Sequence, residues 1–160
     1  MLFRSIMGLD MYLSGKRYMS KYFDAADSEK IEKVNEIFGV QGIEDGDYGA
    51  QEVTFRVAYW RKANAIHQWF VDNCQDGVDE CQETWVGPDS LIKLREICKE
   101  VLAYPEKAEE LLPTQDGFFF GGTDYDEWYK KDLEYTVERL DKILNDPALG
   151  KMDFYYQSSW

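Results

Sequence analysis

Hydrophobic and polar positions alternate in EVTFRV, residues 52–57, so that Val53, Phe55 and Val57 share one side and a strand is predicted there. GLDMYLSGKRYM, residues 8–19, reads as an early strand with a turn at Ser14-Gly15, the pattern of a hairpin. ETWV and the final MDFYYQSSW are further strand candidates, and TQDGFFFGG is a strand or a buried loop bounded by glycines. The period becomes helical in DSEKIEKVNEIF, where Ile31, Val34 and Ile37/Phe38 fall on one face and Asp27 or Ser28 supplies the cap. Helix-compatible sequence also runs from about Ala58 to Asn73.

Gly87-Pro88-Asp89-Ser90 signals the start of the helix SLIKLREICKEVL, which Pro105 ends, and AEELL adds a turn or two before Pro113. Thr123-Asp124-Tyr125-Asp126 resembles a capping box, with Asp in place of Glu, and opens the longest helix. That helix reaches about Asn145, with Tyr129, Leu133, Val137, Leu140 and Leu144 on its apolar face and Pro147 and Gly150 beyond its end. GVQGIEDGDYGAQ and DNCQDGVDECQE read as polar loops. Together these elements predict an α+β fold: one compact domain over residues 1–160, with a small, mainly antiparallel sheet packed against about three to four helices. Residues 1–6 lie outside that pattern, and Met7 is an alternative start.

AYWRKANAIHQWF, residues 58–70, changes the picture by bringing chemistry into this framework. It holds two tryptophans, a tyrosine, a phenylalanine, Arg61, Lys62, Asn64 and the sole histidine, His67. On a helix, Tyr59, Ala63, Ile66 and Phe70 form a core stripe, and Trp60, Asn64, His67 and Val71 form its neighbour. Two readings follow. Asn64 and His67 satisfy buried partners while Arg61 and Lys62 meet surface acids. Alternatively, these polar groups face a cavity, neutralise an anion and hold a planar group against an aromatic wall.

The balance of 31 acidic against 18 basic residues gives a net charge of −13. A nucleic-acid backbone is repelled by such a chain, although a small anion still fits a local basic pocket. The same charge suits docking on a basic host protein or mimicry of DNA. Cys74, Cys81 and Cys98 have no C-x-x-C spacing and share one histidine, so neither a metal site nor a cofactor is expected. Three scattered thiols, and no signal peptide or membrane-length apolar run, predict a cytoplasmic protein without membrane attachment.

GFFFGGTDYDEWY, residues 117–129, is the second dense stretch. Phe119 opposes its two Phe neighbours if the segment is extended, so either both faces are covered or one ring lies on a ligand or partner surface. Thr123 and the first amides of the long helix offer an anion site, which Asp124 and Asp126 already contest. Those two carboxylates with His67 are the acid–base candidates if the protein is an enzyme, while the dipole-complementing role of acids in a first turn is the plainer reading. No P-loop, G-x-S-x-G, H-E-x-x-H or G-x-G-x-x-G motif occurs.

The combination of MGLDMYL, AYWRKANAIHQWF, LLPTQDGFFFGGTDYDEWY and YYQSSW resembles a family of small uncharacterised bacteriophage and prophage proteins. The resemblance spans residues 7–160 apart from 39–50. It implies a viral context, and hence a host cytoplasm, and carries over no activity and no catalytic residue. In that context the ingredients match an anti-defence sponge, a homo-oligomer that sequesters a nucleotide-like immune signal without cleaving it. Trp60, Arg61, Lys62, Asn64, His67, Phe119, Thr123, Tyr125 and Trp128 are the expected ligand contacts. An acidic inhibitor of a host factor and a nucleotide hydrolase or lyase using His67 are the other two expectations.

Overall fold

The computed structural model describes residues 8–40, 50–117 and 119–160. The expected alternative start and most of the acidic loop at 39–51 lie outside the described residues. The fold is α+β, with five α-helices among the described residues and a four-stranded antiparallel sheet in the order β2-β1-β4-β3. The strands are β1 (Asp10–Ser20), β2 (Ala50–Arg61), β3 (Thr84–Val86) and β4 (Asp153–Ser159). The helices are α1 (Ala25–Phe38), α2 (Asn64–Cys74), α3 (Pro88–Ala103), α4 (Ala108–Leu111) and α5 (Glu127–Asn145). Backbone contacts divide the chain into two units, Lys16–Phe55 and the remainder, Met1–Gly15 with Arg56–Trp160, whose described part begins at Gly8.

In the larger unit, β1 alternates strictly: Leu9, Met11 and Leu13 are buried and Asp10, Tyr12 and Ser14 are not. β4 does the same, burying Phe154, Tyr156 and Ser158. These rows form one core with Ile66 and Phe70 of α2, Leu91, Leu94 and Cys98 of α3, and Leu133, Leu140 and Ile143 of α5. An antiparallel sheet covered by helices on one face produces this period-2 signal. β3 pairs with β4 through Thr84↔Tyr156, Trp85↔Tyr155 and Val86↔Phe154. α3 begins with Pro88 at its first turn, and Asp126 caps α5 by accepting from the amides of Trp128 and Tyr129.

In the smaller unit, α1 is capped by Asp24 rather than by Asp27 or Ser28. Asp27 is instead buried, where it accepts from the Ser20 amide at 3.2 Å and pairs with Lys30 at 2.9 Å and Arg17 at 3.6 Å. The hydrogen bond from Lys30 is the main influence holding its carboxyl below the usual range. Gly39, at φ 65°, closes the helix, with the Val40 amide donating to the Asn35 carbonyl. The expected apolar face is only partly used: Ile31 is buried, whereas Ile37 and Phe38 are 76% and 77% exposed.

Two further expectations are corrected. Ser14-Gly15 is no hairpin turn, because β1 runs straight through it; a Cβ on Gly15 would lie 3.0 Å from Met152 Sδ and 3.4 Å from Phe154 Cε1. Glycine there admits the neighbouring side chains of the β4 end rather than reversing the chain. Residues 58–61 are strand, not helix: Ala58 and Trp60 are buried and alternate with Tyr59 and Arg61. The chain leaves β2 through Lys62 at φ 59°, a left-handed conformation that a lysine adopts at some cost. Lys62→Gly should therefore leave thermal stability unchanged or raise it by up to about 1 kcal/mol. Chemical denaturation of the variant checks this, and a loss above that size would show that the lysine stem contributes packing.

Candidate functional site

The turn from β2 into α2 is where the expected chemistry gathers. The Lys62 amide donates to the Leu9 carbonyl at 2.8 Å, and the Leu9 amide donates to Phe119 O at 3.0 Å. Gly121, at φ 88°, lies against this turn; a Cβ there would meet Lys62 Cβ at 3.2 Å and its carbonyl oxygen at 3.3 Å. Both the dihedral and the close approach require glycine. Asn64, the first residue of α2, is 4% exposed and fully engaged. Its amide nitrogen donates to the carbonyls of Phe120 at 3.1 Å and Gly122 at 2.8 Å, and its oxygen accepts from the Gln115 amide at 2.9 Å. Asn64 thus ties Gln115, Phe120 and Gly122 to the start of α2.

That clamp forms one wall of a cleft of about 310 Å³. Arg61, Lys62 and Asn64 line it together with Thr114, Gly121, Gly122, Asp124, Asp126, Trp128 and Asp132. Ala63, Ile66, Tyr129 and Leu133 complete an apolar floor. Among the described residues, neither Arg61 nor Lys62 enters an ion pair. Trp128 is 73% exposed, with Lys131 Nζ 4.9 Å from its ring centre. Burial, with a smaller push from Asp126, raises the Asp132 carboxyl to about 6. The cleft therefore offers two cations, an exposed indole and three carboxylates, one of which changes charge near neutral pH.

His67 lies elsewhere. It is 0% exposed, with Nδ1 2.7 Å from the Tyr156 hydroxyl and Nε2 2.9 Å from Asp79 Oδ2. A carboxylate at Nε2 places the proton of the neutral ring there, so Nδ1 accepts from Tyr156. Burial holds the Tyr156 hydroxyl well above its usual range, which keeps it a donor. The other Asp79 oxygen accepts from the Trp160 indole at 3.1 Å. Phe120 stands edge-on to the imidazole, and Phe70 stacks on Tyr156 with centroids 4.0 Å apart. This network ties α2, β4 and the 75–82 loop together.

The expected contacts therefore separate. Arg61, Lys62, Asn64 and Trp128 come together in the cleft, joined by Asp124 and Asp126. Trp60 is 2% exposed and spends its indole N–H on Thr136 Oγ1 at 2.9 Å, so it is core. Tyr125 lines an adjoining apolar cleft instead, edge-on to Tyr129. Thr123 and Phe119 contribute carbonyls to Thr114 Oγ1 and the Leu9 amide. Asp132 went unnoticed in the sequence, although it lies one helical turn after Trp128 and thus on the same side of α5. No family model, curated protein or solved structure matches the chain.

Two outcomes follow from this geometry. His67→Ala strands a buried hydroxyl and a carboxylate and empties core volume, so it should cost about 3 kcal/mol in chemical denaturation. A cost below about 1 kcal/mol would show that the network is dispensable. Asp132 has a raised folded-state pKa, so its stabilising protonated form is complete below the unfolded value of about 3.9 and is lost as pH rises through about 6. Asp132→Asn should accordingly stabilise the protein at pH 7, on the order of 1 kcal/mol after solvent screening, and have little effect at pH 4. Melting curves of both proteins across that window test the sign.

Proposed function

We propose that the cleft between the starts of α2 and α5 binds a small nucleotide-like ligand and holds it without converting it. The observation that carries this reading is the exposed Trp128 ring lining the same cleft as Arg61 and Lys62, which enter no ion pair among the described residues. A planar base stacks on the indole, and an anionic group meets the two cations. The carboxylates Asp124 and Asp132 favour a ligand that also presents N–H donors, as a nucleobase does. They disfavour a bare polyphosphate, whose charge would meet three acids as well as two bases. A volume of about 310 Å³ matches a mononucleotide-sized ligand, at the small end of ligand pockets.

Retention without turnover is supported by where the nucleophiles and bases lie. His67 is sealed in the core between Tyr156 and Asp79, and burial pushes the Cys98 thiol up to about 12. In the phage context implied by the sequence resemblance, such a cleft serves to sequester a host nucleotide signal. A second reading, proton transfer by Asp132 to or from a bound ligand, draws on its raised pKa in the cleft.

Native mass spectrometry of the protein from host extract, followed by calorimetry with nucleoside monophosphates and cyclic mononucleotides, tests the proposal. An intact ligand is expected, with Trp128→Ala and Arg61→Ala/Lys62→Ala each weakening binding on the order of tenfold or more at unchanged melting temperature. A chemically altered ligand would favour the Asp132 reading. Equal binding by wild type and both variants would remove the cleft as the site.

A further inference from the structure

We infer that β2 is the self-pairing edge of a two-fold homodimer, with Thr54 of each copy on the axis. The strand is an edge of the sheet in the order β2-β1-β4-β3, and it is twelve residues long. The other edge, β3, has three residues. A long edge strand leaves a row of backbone donors and acceptors open to pairing, and natural sheets blunt such edges with Pro, short length or a cover. AQEVTFRVAYWR contains neither Pro nor Gly.

The side chains of β2 identify the occupant as a second copy. An isologous antiparallel pair brings residue i opposite residue j and j opposite i. Centred on Thr54, this register sets Glu52 against Arg56 of the second copy, twice, and Val53 against Phe55, twice. Opposite charges then meet on one face and apolar side chains on the other. Shifting the centre by one residue to Val53 pairs Glu52 with Thr54 and Gln51 with Phe55, which loses both complementarities. Glu52, Thr54 and Arg56 are exposed, and Phe55 is 47% exposed.

The C-terminal turn of α1 adds apolar area. A hydrogen bond from Gln51 Nε2 to Asn35 Oδ1 places that turn beside the start of β2. Ile37 and Phe38, 76% and 77% exposed, belong to the same turn. In this register the paired stretch runs from Ala50 to Ala58, ending before Tyr59, whose amide donates to the Tyr135 hydroxyl at 3.1 Å, and before Arg61 at the cleft.

Sedimentation of the full chain tests the inference together with charge-swap variants. Wild type should be dimeric at about 100 µM, with Glu52→Arg and Arg56→Glu each weakening association on the order of tenfold or more. The double variant Glu52→Arg/Arg56→Glu should regain wild-type association, a result that general misfolding does not give. Thr54→Cys should form an interchain disulfide under mild oxidation that the wild-type cysteines do not, because partners on the axis bring their Cα atoms into bridging range. A monomer at that concentration, a dimer indifferent to both single reversals, or single losses not restored in the double variant would overturn it.

Discussion

Two buried polar side chains, one turn apart on α2, constrain the larger unit. An amide and an imidazole withdrawn from water must be fully hydrogen-bonded, because each unpaired group costs on the order of 1–3 kcal/mol. Asn64 meets that demand with three backbone groups of the 115–122 segment, and His67 meets it with Tyr156 and Asp79. Each bond is also a positional constraint. The first ties Gln115, Phe120 and Gly122 to the helix, and the second pins the 75–82 loop and β4 to it.

The cleft is a consequence of the first constraint. With 115–122 held against the start of α2, Gly121 and Gly122 line one side, and the chain re-enters α5 through Asp124 and Asp126. The left-handed turn at Lys62 then presents Arg61 and Lys62 at the same opening. An N-capping aspartate and a half-buried one face those cations, giving a local field of mixed sign within a strongly acidic chain. The field at this opening is thus mixed in sign although the net charge of the chain is −13.

The helices from Pro88 onward were legible because the signals that bound them are local. Pro88 and Pro105 punctuate α3, and Asp126 caps α5. The capping box read at Thr123 lay a few residues early because the box pattern and the actual single-residue cap share the same acids. β4 was legible by alternation. The stretch 58–61 was not, since a short run of aromatic and small residues fits either period and only its packing against β1 decides. Gly15 misled for a related reason: glycine marks both turns and close approaches, and the partner that demands closeness, Met152, is far along the chain.

The sequence by itself determined the α+β class, most of the element order and the concentration of chemistry in residues 58–70 and 117–129. It did so because periodicity, caps and breakers act over a few residues. Tertiary structure alone decided which of those side chains meet. Asn64 and His67 were recognisable as groups that need partners, but the partners lie 12 to 89 residues away. Burial turned the histidine into a core fastener and left the cleft to Arg61, Lys62, Trp128 and Asp132. Hydrogen-bond demand can be read from a residue's identity, whereas its satisfaction depends on what the fold brings within about 3 Å.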